Sequence, residues 1–493
     1  MSFSSFPFLL VFLPVFLFGY AVCGRLGSCR LGLGRSGFGR SGFGRSGFGR
    51  SGAGWAKTWM IAASGVFYGV GAPAFLPLLI LSIGGNFLLL HAMHESVRSG
   101  RWAAAGVALN LGVLGWFKYL APDAFPPLGL SFFTFTQIGC LLHHAGGDTP
   151  PPKARDYALF AAFFPALFAG PILNPREMLP QFARTEGWRL TESGLIAGSG
   201  FFIIGLLKKT LLADPLSTVV AAGFAHPETL TVFAAWQVAA SYSLQLYFDF
   251  SGYTDMAIGL AWMVGLRFPD NFEQPYRAAS VIAYWQRWHM SLTRFLMTAV
   301  HAPLTLAILR WRRDHGRGIN AGAQRTGAGF LTMIGVPVIT TMMLVSLWHG
   351  ATSPFLLFGL LHAVCLLVNH AWRVNRWPRP PTAVCIALTY LCVLVGVVLF
   401  RADSAGSAGF VMAGMAGLHG FGAIQPDIHA LADVIWLAAL YAIVWFAPAT
   451  RQWIAGDRPG RRSAPHWAVV MGCAATLGVL AAGGTGEFLY FRF

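Results

Sequence analysis

Residues 242–291 read YSLQLYFDFSGYTDMAIGLAWMVGLRFPDNFEQPYRAASVIAYWQRWHMS. The stretch sets Asp249, Asp255, Asp270, Glu273, Arg267, Arg277, Arg287 and His289 among residues otherwise typical of membrane helices. Moving ionisable side chains into hydrocarbon is costly, so their presence within spans marks buried polar sites or pathways. A second, shorter stretch, SLWHG at 346–350, repeats the combination of Trp and His.

The rest of the chain fixes the medium in which these groups sit. The 493 residues are 55% hydrophobic and only 11% charged, whereas an ordinary soluble domain carries about 25% charged residues. Apolar runs of about 20 residues, the length that crosses a bilayer, recur from Phe3 to Leu480 and allow roughly a dozen spans, some of them broken. Backbone groups in lipid must bond internally, and these runs are far longer than barrel strands, so helices are expected. The expected fold class is all-α, a polytopic integral membrane protein.

The net charge of +16 does not require nucleic acid. The basic residues cluster in short loops between spans, as the positive-inside rule describes. The seven cysteines are scattered, odd in number and without a CxxC pair, which indicates neither a disulfide framework nor a metal site.

The first run, Phe3–Val22, lacks a positive leading region, and its nearby basic residues all follow it. That order fits an uncleaved anchor over residues 1–24 with its N-terminus outside the cytoplasm. Residues 25–54 form a basic loop in which RSGFG begins at Arg35, Arg40 and Arg45, with a variant, RSGAG, at Arg50. Its Gly/Ser/Arg composition carries too little apolar mass to pack, so it reads as a flexible linker or as a polybasic tether to anionic lipid. The main membrane domain occupies residues 55–493.

Spans are expected near 56–71, 74–94 and 102–120, followed by a turn with Pro122, Pro126 and Pro127, and then by the 128–147 run that ends in His143 and His144. The run Tyr157–Leu173 contains Pro165 and the Gly170–Pro171 pair, so a broken helix is expected there. Lys208 and Lys209 close the next span, where paired lysines either snorkel to headgroups or meet an anionic donor. Later spans are expected near 231–250, 328–347, 353–372, 382–400, 433–449 and 467–484.

Within the central stretch, Tyr242, Gln245, Asp249 and Tyr253 follow 3–4–4 spacing and draw one polar line along an apolar helix. Gly252 and the charged turn Arg267–Arg277 are expected to separate it from a second, amphipathic helix over about 280–300. His289 on that helix reads either as a packed core histidine or as a catalytic one. His349 lies in a very apolar span, with Ser346 and Thr352 at i−3 and i+3 and Gly350 allowing close approach. A neutral imidazole there can accept a proton from a hydroxyl, the role of a general base.

The chain resembles the membrane-bound O-acyltransferase family, in the bacterial branch of alginate O-acetylation proteins and teichoic-acid D-alanyl transferases. The resemblance rests on SFFTFTQI (131–138), FFPALFAGPIL (163–173), GLLKKTLLAD (205–214), the 242–276 stretch, YWQRWHMSLTRFL (284–296), SLWHGA (346–351), GLLHAV (359–364) and the closing FLYFRF. It implies a ring of helices around a thinner polar centre with funnels from both faces. His349 matches the family's principal catalytic histidine and His289 its second characteristic histidine.

By this resemblance, His349 takes a hydroxyl proton during attack on a thioester carbonyl. His289 is the second catalytic residue, and supporting or substrate-binding roles fall to Gln245, Asp249, Asp255, Asn271, Trp285, Arg287 and Trp348. The donor is acetyl-CoA or another acyl thioester, with no bound cofactor. The implied partners are an extracytoplasmic esterase-like acetyltransferase and a polysaccharide acceptor, at a bacterial inner membrane. No GxSxG elbow is present. Where alginate-like members continue with Arg-Asp-Tyr and a Pro-Leu-Gly-Gly turn, this chain has Met297, Thr298 and Ala299, then VHAPLTLAI. Two other readings stand beside acetyl transfer: D-alanyl or other acyl transfer from a carrier-protein thioester, and a polysaccharide exporter or transporter.

Overall fold

The computed structural model describes residues 1–26, 49–121, 127–146, 149–422, 428–455, 465–483 and 488–489. The RSGFG units up to Phe48, Pro122 and Pro126, residues 456–462 of the last basic loop, and all but the first two residues of FLYFRF lie outside them.

Among the described residues every regular element is helical. Among the described residues eight helices are long and apolar enough to cross a membrane, and shorter apolar helices at Ala405–Met415, Ala432–Phe446 and Trp467–Leu480 accompany them. This is the all-α polytopic architecture that the apolar runs require. The helix Gly49–Gly71 includes the last repeat unit, Arg50–Gly54, in its first turns.

The chain divides into two compact units. One comprises 1–210, 252–270 and 450–491, and the other 211–251, 271–449 and 492–493. A single long helix, Val232–Met263, contributes to both. It runs on through Gly252, where the sequence suggested a boundary.

In the first unit, Gly252 explains that continuity. A Cβ at Gly205 would lie 2.5 Å from Gly252 O and one at Gly252 would lie 2.7 Å from Gly205 O; Gly198 and Gly259 repeat the arrangement at 2.6 and 2.5 Å. The helix Glu192–Leu207 and the Gly252–Met263 turns therefore touch backbone to backbone, through small residues seven apart. In lipid, where there is little hydrophobic drive between helices, such close packing supplies the attraction.

The N-terminal helix is built into this unit. Phe3, Phe8, Phe16 and Tyr20 are fully buried, the Phe3 ring stacks on Tyr253 at 4.7 Å, and the Tyr20 hydroxyl donates to Val264 O at 2.9 Å. The expected break after Tyr157 is present: Ala154–Ala162 ends at Phe163, whose ψ of 115° is extended, and Phe164–Leu167 begins anew. Pro165 cannot continue the first helix. The backbone N–H of Phe164, freed by the break, donates to Ser64 Oγ at 3.0 Å, as a buried amide must.

Lys208 does not snorkel. Its ammonium contacts Asp255 Oδ2 at 2.6 Å and Thr450 Oγ1 at 2.9 Å, and the Thr450 hydroxyl donates to the same carboxylate oxygen at 2.7 Å. Lys209 is also buried. Lys57 and Asp156 form a second buried pair at 2.6 Å. His144, the second of the adjacent histidines, bonds back to Cys140 O at 2.8 Å.

The second unit is built around the hairpin of Val336–His349 and Ser353–Val374. A Cβ at Gly359 would lie 2.9 Å from Met342 O, so glycine sets how closely the two helices approach. Asn369, on the second of them, accepts from Val281 N at 2.8 Å. Together with the Ser280 side chain, which accepts from Ala283 N at 3.1 Å, it caps the short helix Val281–Trp285 and fixes its position.

The continuous helix expected over 280–300 is not formed. Val281–Trp285 ends in a turn, and a new helix starts at Met290. The backbone of Asn271 holds the break open, since its carbonyl accepts from Met290 N at 3.0 Å. Beyond it, Met290–Leu296, a π-helical turn Met297–His301 and Ala302–Asp314 run on without interruption. Met297, Thr298 and Ala299 therefore lie within continuous helix.

Candidate active site

His289 occupies the residue between the two short helices, with φ 44° and ψ 53°. This left-handed conformation costs a residue bearing a Cβ about 1–3 kcal/mol and persists only where the surroundings dictate it. Asn271 does so. Its side-chain oxygen lies 3.1 Å from His289 Nδ1, accepts from Ser291 N at 3.1 Å and accepts from Ser291 Oγ at 2.9 Å. All three residues are buried.

The tautomer follows from this arrangement. A backbone N–H can only donate, so the Asn271 atom facing Ser291 N is the carbonyl oxygen, and His289 Nδ1 must carry the proton that reaches it. The lone pair of the neutral ring is then on Nε2.

His349 ends the helix Val336–His349, one residue before Gly350. Its ring meets Phe400 edge-on at 4.7 Å and faces Phe355 at 6.0 Å. A Cβ at position 350 would fall 2.7 Å from the Phe355 ring, so glycine there lets Phe355 close on the imidazole. The Ser346 hydroxyl, one turn earlier, donates to Phe355 O. It secures the turn that carries the histidine.

Trp348 joins the two histidines. Its indole lies 4.3 Å from the His349 ring and 6.2 Å from the His289 ring, between centroids. Phe250 closes the other side of His289, edge-on at 4.8 Å. Four of the residues singled out from sequence, Asn271, His289, Trp348 and His349, thus share one aromatic-walled site. Two imidazoles at a shared indole, one with its tautomer fixed, are suited to accepting and returning a hydroxyl proton.

The other sequence-predicted residues are placed differently. The face of Val232–Ser251 that packs on this site carries Ser243, Tyr247 and Phe250: Ser243 donates to the Tyr276 hydroxyl at 2.9 Å, and Tyr247 packs against Trp288. Asp249 and Gln245 are buried but lie roughly 130° and 170° around the helix, respectively, at about 100° per residue. Gln245 Oε1 has no hydrogen-bond partner among the described residues. Asp255 belongs to the first unit, held by Lys208 and Thr450.

Arg287 enters through its backbone, its carbonyl accepting from Glu273 N at 2.9 Å. Trp285 turns its ring to His362 at 5.4 Å. His362, buried on Ser353–Val374, was visible in sequence only inside the word GLLHAV. Ser291, Phe355 and Phe400 gave no signal, since a serine and two phenylalanines are unremarkable in a membrane helix. Among the described residues no cluster of His, Cys, Asp or Glu is arranged to hold a metal.

Residues 116–314 match the membrane-bound O-acyltransferase family. The chain is 32% identical over 414 residues to the peptidoglycan O-acetyltransferase of Helicobacter pylori, covering 74% of each chain. It is 33% identical over 430 residues to a probable alginate O-acetylase of Pseudomonas aeruginosa, covering 82% of this chain and 72% of that one. With the teichoic acid D-alanyltransferase of Bacillus subtilis it shares 25% identity over 288 residues, 55% of this chain and 68% of the relative.

Proposed function

The chain belongs to the membrane-bound O-acyltransferase family and is a multi-pass O-acyltransferase; from that premise we propose that it moves an acetyl group from a cytoplasmic thioester, such as acetyl-CoA, toward a hydroxyl of an extracytoplasmic polysaccharide. The observation that carries this reading is the pair of imidazoles at Trp348, with His289 held by Asn271 in the tautomer that leaves Nε2 basic. His349 removes the proton of the attacking hydroxyl. The oxygen adds to the thioester carbonyl, the C–S bond breaks, and the proton passes to the departing thiolate. His289 positions the hydroxyl from across the indole.

Acetyl is favoured over D-alanine because the relatives named for acetyl transfer share more identity over more of the chain. An esterase-like partner outside a bacterial inner membrane completes the transfer to polymer. The test is transfer of radiolabelled acetyl from acetyl-CoA in membranes containing the protein. His349→Ala lowers it by about 10²–10⁴-fold, the range for loss of a general base, while the amount of protein in the membrane is unchanged. Full activity in that variant rejects the assignment.

A further inference from the structure

A groove of about 470 Å³ lies between the helices Val232–Met263, Thr382–Arg401 and Ile428–Phe446. The small side chains of Ala240, Ala438 and Ala442 leave this space, and the exposed rings of Trp236, Trp445 and Phe446 also line it. Tyr390 and Tyr441 complete the wall with their hydroxyls already engaged. The two hydroxyls bond one another, Ser243 Oγ lies 3.1 Å from that of Tyr390, and Tyr441 donates to Ala240 O at 3.3 Å. The Trp236 indole N–H is likewise taken, donating to Met415 O at 3.0 Å. The groove therefore presents mainly rings and methyl groups, the lining that suits a hydrocarbon chain.

One end of the groove lies at the cytoplasmic surface. In the sequence Arg373, Arg376 and Arg379 precede the helix Thr382–Arg401, and Arg451, Arg458, Arg461 and Arg462 follow Ile428–Phe446, with Asp457 the one acid among them. That bias places the Phe446 end inside. There the Ala447 carbonyl accepts from Arg277 Nη2 at 2.8 Å and from Gln274 Nε2 at 2.9 Å. Gln274 takes up its position with φ 47°, a conformation that a residue bearing a Cβ keeps only under constraint. Arg277 is half-buried, and among the described residues no carboxylate pairs with it and its Nε has no hydrogen-bond partner.

We propose that this groove binds an anionic phospholipid of the cytoplasmic leaflet, one acyl chain lying along Ala438 and Ala442 and the phosphate meeting Arg277. The guanidinium suits phosphate oxygens, and the inner leaflet supplies anionic headgroups at that depth. A membrane helix from a partner or from a second copy would fill the apolar part and leave the arginine without a counter-charge. The lipid also braces the site from behind. Tyr390 packs on Tyr276 at 5.1 Å, and the Tyr276 ring lies parallel to that of Trp288, the residue before His289, at 6.4 Å.

The experiment places the full-length chain in phosphatidylcholine nanodiscs containing a trace of phospholipid with a diazirine on its acyl chain. The probe carries either a phosphatidylglycerol or a phosphatidylcholine headgroup, and mass spectrometry maps the labelled residues. The phosphatidylglycerol probe should label Tyr390–Leu394 and Ala438–Phe446 about fivefold more than the phosphatidylcholine probe, the preference that one cation near the surface confers. Arg277→Gln, which keeps a donor for Ala447 O, removes the preference; Ala442→Phe blocks labelling by both probes; Arg379→Gln, outside the groove, changes neither result. Size-exclusion behaviour verifies that each variant is folded, and competition by unlabelled phosphatidylglycerol against unlabelled phosphatidylcholine in the native chain gives the same reading without a substitution. Equal labelling by the two probes, or a preference that survives Arg277→Gln, overturns the proposal. So does groove labelling no greater than that of Val434 and Ile435, which are exposed on the same helix. A dimer by light scattering with the groove shielded from both probes assigns it to a second copy and rejects the lipid.

Discussion

Asn271 and His289 are joined through a hydrogen bond of 3.1 Å to the side-chain oxygen of Asn271, an atom that also takes the backbone and hydroxyl protons of Ser291. One buried acceptor thereby fixes both the tautomer and the orientation of the imidazole. Asn271→Ala removes it and strands buried donors, at about 1–3 kcal/mol for an unsatisfied group. The expected result is a lower unfolding temperature in detergent together with a fall in kcat that exceeds any change in KM. Ser291→Ala removes one of the three bonds and leaves the tautomer set, so its transfer rate stays closer to that of the native chain.

The backbone at position 289 separates structural from chemical roles. Its φ of 44° is tolerated by Asn and Gly far better than by residues such as Ala. His289→Asn should therefore match the native unfolding temperature more closely than His289→Ala does, while both lose transfer activity. If His289→Asn keeps both its stability and its activity, the imidazole contributes only shape.

Many of the spans and the burial of the two histidines were legible in sequence because apolar length and misplaced polarity are local signals, whereas the span Met290–Asp314 was hidden inside what read as an amphipathic helix. Even the break at Phe163 could be read from Pro165. The break at His289 could not: the amphipathic stripe over 280–300 is compatible with one helix, and what interrupts it is the Asn271 backbone, held from well upstream. The polar line of Gln245 and Asp249 is buried. Its direction depended on Ser243, Tyr247 and Phe250 taking the packing face, which periodicity alone does not rank. Lys208 was misread for a related reason, because Asp255 and Thr450 come from distant parts of the sequence.

Cys365 and Cys392 give a check on the helices behind the site. Their sulfurs lie 3.0 Å apart on Ser353–Val374 and Thr382–Arg401. A mild membrane-permeant oxidant should link them within one chain, as mass spectrometry of the digested protein would reveal. Failure to link, when thiol-reactive reagents label both, would mean that these two helices are packed differently.

Breaking the Lys208–Asp255 pair should be more damaging than removing it. With Lys208→Met, the Asp255 carboxylate keeps only the Thr450 hydroxyl of its two partners. An uncompensated buried charge costs about 3–5 kcal/mol, whereas replacing both members by apolar groups of similar volume is often neutral. Each single variant, Lys208→Met and Asp255→Leu, should therefore unfold at lower temperature than the double variant carrying both. The pair lies against the Gly205–Gly252 contact, where loss of packing would loosen two helices together, so yield of monodisperse protein should follow the same order. Additive losses in the double variant would show that the two charges do not depend on each other, and would assign the lysine a partner other than Asp255.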